Sequence, residues 1–516
     1  DRGTEVEVHM IRRFMAARLP GWRAAEIVIF LAILGLGLFL RFTDLTDAPL
    51  DFHPMRQLRG AILTRSVYYQ ILPDADPDLV QKAIAATRTI STQEPPILEH
   101  LVAYTYLLVG GEHLWIGRVY SIVFWLVAGL AFFSLARRMV STSGALVSLA
   151  YFMLLPFSVA VSRTFQPDPL MVMGIALTIR TAYQWGEKRS WKWAVATGVL
   201  AGLTMLVKIT AVYYLAPALG IIMLTNWKPR QFIRDLGVWL AAALAVLLPA
   251  TYYLFAIGRQ SSDWFSGWAL GFTNQLVQPG FYIQWLKYID YLFELPLVWL
   301  ALVGLILMPQ SKDRLLLVGL WAGYILFGLS FPFPIRTHEY YSIMLIPVIG
   351  ISLAASGKLV FQALARQPRI WRWLVVPVIL LAVAYPSWLV YTGSIGSDYR
   401  QESAGWEQIG AALPEGNIVG LTHDYGMRMA YFGWRLVHAW PTTSDFAVLA
   451  QRNQGYSEDF EYIFATETAN MDYFLVTLMG ELEAQPMLKA RLYENYPLLH
   501  EGDGYLLFDL RHPLNP

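Results

Sequence analysis

The chain has no cysteine and little charge. Without Cys it carries no disulfide, no reactive thiolate and no Cys-ligated zinc. Only 15% of its 516 residues are Asp, Glu, Lys or Arg, where a soluble globular chain holds about 25%. Lys and Arg number 39 against 38 acidic residues, a net charge of +1, which sets up no field to draw in nucleic acid. Internal repeats, low-complexity tracts and a glycine-rich nucleotide-binding loop are missing too. What fills the chain is apolar: 56% hydrophobic residues, with 19 Trp, 28 Tyr and 27 Phe. They fall in blocks of roughly 17–23 residues, the helix length that crosses a hydrocarbon core about 30 Å thick. A soluble enzyme, a fibrous protein and a disordered chain are excluded. The chain reads as an α-helical polytopic membrane protein.

Lys and Arg in the short loops set orientation. Arg12, Arg13, Arg18 and Arg23 precede the first apolar block, Ala24–Leu40, and no small-residue cleavage site follows it. Residues 1–23 therefore read as a cytoplasmic segment and 24–41 as an uncleaved first span. A polar outer loop, 42–113, comes next. Ten further spans are expected near 114–135, 143–161, 168–185, 192–207, 210–225, 235–256, 288–308, 315–331, 341–357 and 373–391. Each inner loop so defined carries two or more basic residues, and the outer loops after spans 3, 5 and 9 carry one each. Pro96–Val109 reads either as one more short span or as a helix on the surface, and 257–287, rich in Trp and Phe, either stays outside or dips into the interface. The count is about 11–13 spans in a transmembrane domain, 24–397, of the cell (inner) membrane.

From 398 to 516 the pattern changes. Strands are expected at Ile418–His423, Leu436–Trp440, Tyr473–Val476 and Gly504–Leu510. Helices are expected at Asp424–Gly433, Ser444–Gln451, Glu458–Thr468 and Glu481–Tyr493, the last broken at Pro486. Alternating elements in this length make a small α/β domain, extracytoplasmic by the loop parity.

Charges at span mouths outside the inner loops are the informative ones. They come from five outer segments: Asp51, His53, Arg56 and Arg59; Glu94; Arg163 and Asp168; Lys208; Arg336, His338 and Glu339. Asp51 precedes a helical stretch opened by Pro54, where it either caps the helix or serves as a general base or metal ligand. Glu94, in Gln-Glu-Pro-Pro, offers a second carboxylate. Asp168 stands between Pro167 and Pro169, which fix its backbone. Lys208 lies among apolar residues in LTMLVKITAVYYL; it either snorkels to water or meets an anionic headgroup. Arg336 is suited to phosphate, and Tyr340 and Tyr341 suit the interface. Thr422, His423 and Asp424 end a strand, where a helix cap explains them as well as binding does.

The order of these segments resembles a known family. Glu94-Pro95-Pro96-Ile97-Leu98 and Gly117-Arg118-Val119-Tyr120-Ser121-Ile122 resemble its Pro-Pro-Leu and Arg-Leu-Pro-Ser segments. Ala201-Gly202-Leu203 with Lys208 resembles its Gly-Leu…Lys segment, and His338–Pro347 its aromatic segment ending in Pro. This is the family of GT-C membrane glycosyltransferases that use polyprenyl-phosphate sugars, including protein O-mannosyltransferases and the aminoarabinose transferases of lipid A; the likeness spans about 24–350. Many members carry an Asp-Glu pair in the first outer loop, where this chain has Asp51-Phe52-His53. Whether Asp51 or His53 takes the main catalytic place, and whether a divalent metal cation on Asp51, His53, His338 and Glu339 takes part, is thus left open.

The resemblance implies an inverting transfer of a hexosyl or pentosyl group from an undecaprenyl- or dolichyl-phosphate donor to a hydroxyl on a glycan, lipid or protein acceptor. Asp51, His53 and Asp168 would be catalytic, with Lys208, Arg336 and Arg163 on the donor phosphate. Arg56, Glu94, His338, Glu339 and Tyr340 would support the substrates. The rival readings are a flippase that moves a lipid-linked sugar without reacting it, which expects polar residues near the midplane and related halves, and a lipid-linked polymerase or ligase.

Overall fold

A computed structural model describes residues 24–90, 94–257, 266–452 and 459–514. A helix stands at each of the eleven expected spans, from Ala24–Phe42 to Arg369–Gly396. Among the described residues seven helices are long and apolar enough to cross a membrane, or nine if each of two bent pairs is one span. Trp191–Val207 falls short of that length, and Asp168–Lys188 carries Arg180, Gln184 and Glu187 along its polar end. Helix Ile97–Val109, at 13 residues, is about 20 Å long and too short to span. It buries Leu98, Val102, Ala103 and Tyr106 against helix Pro54–Ile71 and leaves Leu101, Tyr104 and Leu108 exposed.

Both bent pairs have local causes. Thr142–Leu154 and Pro156–Ser162 meet at 60°, because Pro156 lacks the N–H that would continue the ladder. Arg41, wholly buried at the end of the first span, supplies what is lost: Nη1 donates to Met153 O at 2.7 Å and Gly37 O at 2.8 Å, and Nε to Ser162 Oγ at 2.7 Å. Phe152 O accepts from Ser158 Oγ and from Trp125 Nε1. Pro279–Phe293 and Leu295–Ile306 meet at 91° around Glu294, whose φ of 60° is left-handed. Asp290 caps the second piece through Leu295 N at 3.0 Å.

The C-terminal region holds five strands, β1 Ile418–Leu421, β2 Val437–Ala439, β3 Tyr473–Val476, β4 Leu498–Gly502 and β5 Tyr505–Asp509, in the order β2-β1-β3-β5-β4. The first three are parallel and the last two pair antiparallel. Side chains alternate as a strand requires. Ile418, Tyr473, Leu475, Tyr505 and Leu507 belong to a core shared with helices Pro54–Ile71 and Met427–Tyr431 and with Trp406, while Val419, Leu421, Phe474, Val476 and Phe508 belong to a second core with Trp440, Phe464, Leu488 and Leu492. The expected helix Asp424–Gly433 shrinks to Met427–Tyr431, because Asp424 and Tyr425 take left-handed φ of 50° and 56°. Strand β4 and helix Glu402–Ala412 are additions to the expected elements.

The Arg41 network yields a stability prediction. Replacing Arg41 by Met nearly keeps the volume but strands the Met153 carbonyl in an apolar interior, while Ser158 and Ser162 keep the carbonyls they donate to. At about 1–3 kcal/mol for a buried group left unpaired, the variant should melt below the wild type in detergent. An unchanged melting temperature would show that the break at Pro156 holds without the guanidinium.

Candidate active site

Helix Trp191–Val207 ends at Lys208, whose extended backbone (φ −157°) closes the ladder. The residue is 9% exposed. Its Nζ lies 2.7 Å from Asp168 Oδ1 and 4.0 Å from Glu94 Oε1. Asp168, 1% exposed, opens helix Asp168–Lys188, where the helix dipole favours an anion. Its other oxygen faces Arg56 Nη2 at 3.6 Å. The Arg56 guanidinium lies 4.3 Å from the Tyr340 ring centroid, and Lys208 Nζ lies 5.5 and 5.9 Å from the rings of Tyr340 and Tyr341, within cation–π range. Burial opposes the Arg56 cation, yet Tyr340, Asp168 and Glu94 hold its pKa above the usual arginine value. Two cations and two carboxylates thus meet over an aromatic floor.

His53 joins this cluster to a second one. It caps helix Pro54–Ile71 in a left-handed conformation, φ 45°, a strained state for a residue with a side chain. Its Nε2 meets Glu339 Oε2 at 2.5 Å, and its ring lies edge-on to Tyr340 at 5.0 Å and stacks with His338 at 6.2 Å. Burial, then His53 and Arg56 nearby, depress the His338 pKa to about 4.

Asp51 stands two residues before His53, with its side chain 31% exposed. Arg118, 1% exposed, donates to Asp51 Oδ1 at 2.7 Å and is held by the carbonyls of Leu45 (3.3 Å) and Asp47 (3.1 Å). Asp51, Arg118, Arg163 and Glu339 line a cavity of about 440 Å³ together with Phe157, Val159, Leu389 and Val390. Arg163, 5% exposed, donates to Ser394 Oγ at 2.9 Å and Asp44 O at 3.1 Å, and its Nε has no partner. Burial lowers its pKa.

Of the residues read from the sequence, Asp51, His53, Arg56, Glu94, Arg163, Asp168, Lys208, Glu339 and Tyr340 come together through these contacts. His338 stacks at their edge. Arg336 does not join them: its donors go to Oε1 of Gln275, Gln284 and Gln451, so it stands against neutral amides at the C-terminal domain. The side chains named for a divalent cation are engaged with other protein groups in this structure. Asp51 Oδ1 accepts from Arg118, His53 and Glu339 bind each other, and His338 Nδ1 faces Thr337 Oγ1 at 2.8 Å. Among the described residues no group of three His, Asp or Glu is poised to hold an ion, and no step below runs through one. Sequence reasoning missed Arg118 as a site residue, although it lies in the Gly117–Ile122 segment; a cation one turn into an apolar span was the available signal.

Residues 93–255 match a family model described as dolichyl-phosphate-mannose-protein mannosyltransferase. Among solved structures, ArnT from Cupriavidus metallidurans, known in the apo state and bound to undecaprenyl phosphate, is 14% identical with a TM-score of 0.54, over 94% of this chain and 98% of that one. The archaeal oligosaccharyltransferase AglB from Archaeoglobus fulgidus, in complex with an inhibitory peptide and a dolichol-phosphate, is 12% identical with a TM-score of 0.54, over 94% of this chain and 74% of that one. No curated protein sequence matches the chain. At these identities the likeness to the solved structures is one of fold.

The depressed His338 pKa has a sign that can be tested. The unfolded chain binds this proton near pH 6.5 and the folded chain only near 4, so folding expels it. The stability tied to His338 is full above about pH 6.5 and is lost as pH falls towards 4. A His338→Gln variant should flatten the melting profile across that window; an unaltered slope would remove His338 as its source.

Proposed function

We propose that this chain, which has the fold of the GT-C membrane glycosyltransferases, transfers a sugar from a polyprenyl-phosphate carrier to an acceptor hydroxyl at the extracytoplasmic face of the membrane. One observation carries the reading: Arg56, Glu94, Asp168 and Lys208, from separate stretches, converge beside Tyr340, and His53, two residues after Asp51, meets the same ring. A flippase would be expected to hold polar residues at the bilayer midplane on related halves. Here Asp168 begins a helix, Lys208 ends one, and Arg56 and Glu94 belong to the segment between the first two spans. The basic inner loops favour placing this cluster outside.

Asp51 is the general base. It accepts the proton of the acceptor hydroxyl while that oxygen forms a bond to the anomeric carbon and the bond from that carbon to the phosphate oxygen breaks. The configuration inverts and the polyprenyl phosphate departs with the electron pair. Arg118 orients Asp51 by its 2.7 Å contact. Lys208 and Arg56 face the leaving phosphate and stabilise the charge that grows on it. Asp168 is a positioning residue: it holds both cations at fixed places, so that little reorganisation accompanies the reaction. Undecaprenyl and dolichyl phosphate both fit this chemistry, as the carriers found with ArnT and AglB suggest.

Asp51→Asn should lower transfer by about 10²–10⁴-fold; melting is read alongside, because the buried Arg118 loses its carboxylate partner. Near-normal turnover of purified Asp51→Asn would eliminate it as the base. Lys208→Ala should raise the Kd for the polyprenyl phosphate far more than the KM for the acceptor; melting is read alongside, because Asp168 loses its cation. Equal effects on the two substrates would count against a phosphate role.

A further inference from the structure

The cavity beside Asp51 is separate from the Lys208 cluster: Lys208, Arg56 and Asp168 are absent from its walls. If Asp51 is the base, the acceptor hydroxyl must come within hydrogen-bond reach of its carboxylate, and Asp51 faces this cavity. The rest of the lining then describes the acceptor. Phe157, Val159 and Ala160 come from the bent span, and Leu389, Val390 and Gly393 from helix Arg369–Gly396. That helix is a candidate span with 6% of its apolar window buried, so nearly its whole surface meets the membrane. Tyr291 (75% exposed) and Leu389 (50% exposed) belong to the lining and to the outer surface at once. The cavity is therefore open sideways, at the depth of a span.

A cavity lined by both charged groups and apolar side chains, and open to the outer surface of the spans, suits an amphiphile. Resting on the transfer reading above, we propose that this cavity is the acceptor site and that the acceptor is a lipid-anchored hydroxyl compound, not a polypeptide. Its chain lies against Phe157, Ala160, Leu389 and Val390. Its hydroxyl meets Asp51, and an oxygen of the headgroup accepts from Arg163. That guanidinium is buried, lines the cavity, and has no carboxylate within ion-pair distance among the described residues, only Ser394 Oγ and the Asp44 carbonyl. The acids around it are already engaged: Asp47 by the N–H groups of Ala48 and Tyr399, Asp44 by Arg400 and Asp51 by Arg118. Arg163 is thus the donor left over for a ligand.

Gly393 lines the cavity and a Cβ there meets nothing within 4 Å, so Gly393→Leu adds bulk at the cavity wall. The full chain, in phosphatidylcholine nanodiscs, is exposed to a decyl β-glucoside bearing a diazirine at the chain end, and the photolabelled peptides are read by mass spectrometry. We expect saturable labelling within 157–160 or 389–393, competed by decyl β-glucoside but not by glucose, and reduced about tenfold or more by Gly393→Leu. Arg163→Gln should weaken competition by the glucoside. The proposal is overturned by absent or non-saturable labelling, by no loss in Gly393→Leu, by stronger competition from decyl phosphate (which makes the cavity the carrier's), or by equal competition from a serine peptide. Sugar release from the lipid-linked donor is measured on the same preparation. Labelling without any release fails the transfer reading alone; release without labelling fails the lipid acceptor alone.

Discussion

An ammonium placed among apolar side chains has to be met by an anion. Lys208 imposes this demand at the end of a short helix, and Asp168 answers it from the start of the neighbouring one. Neither group is tolerable alone: an unpaired buried charge costs several kcal/mol, and removing one partner of such a pair about 3–5. The pair therefore fixes the distance between two helix ends, and other features follow from it. Asp168 has a second oxygen, which draws Arg56 out of the segment after the first span. Arg56 in turn needs a surface, and Tyr340 provides it from the other side of the bundle.

The segment carrying Asp51, His53 and Arg56 is anchored at both ends. Its helix, Pro54–Ile71, begins at the strained His53 and holds Arg65 in its later turns. Arg65 lies 2.9 Å from Glu112, donates to Tyr431 O and sits over the rings of Tyr431 and Trp434 at 3.8 and 4.1 Å. One end of the helix thus belongs to the site and the other to the C-terminal domain, whose inner face shares a core with it. A partly exposed carboxylate such as Asp51 would wander on a free loop. Here the C-terminal domain clamps the helix that follows it, which holds the candidate site in a fixed geometry.

How much of this was legible depended on the kind of signal. Spans were readable because hydrocarbon thickness imposes a length on apolar runs, and the charges at their mouths were readable because burying them is costly. Strands β1, β3 and β5 were readable as continuous apolar runs. Strand β4, Leu498–Gly502, was not: its residues are almost all exposed at the sheet edge, so no burial pattern marks it. Arg336 shows the opposite failure. Its position beside His338 and Glu339 in the sequence suggested a shared role, but the short helical turn Pro334–Arg336 directs it to Gln275, Gln284 and Gln451. Adjacency along a turn does not fix direction. Arg118 was overlooked because a single arginine at a span mouth looks like an interface anchor until Asp51 is seen opposite it.

The two bent spans were read as straight, and their bends explain why a cavity exists where it does. Unbroken helices at 143–161 and 288–308 would have packed along their whole length. Instead Pro156, Phe157, Val159 and Ala160 follow one break, Tyr291 and Leu292 precede the other, and all six line the same cavity. Non-helical backbone at membrane depth is tolerated only where its polar groups are satisfied or face a cavity. Both conditions are met: Arg41 takes the Met153 carbonyl, and Tyr151 Oη donates to Phe293 O at 3.3 Å. The breaks are stabilised by side chains that do not line the cavity, Arg41 and Tyr151, which leaves Asp51 and Arg163 available to a ligand. In this fold the support for the irregular backbone and the chemistry it exposes are carried by different residues.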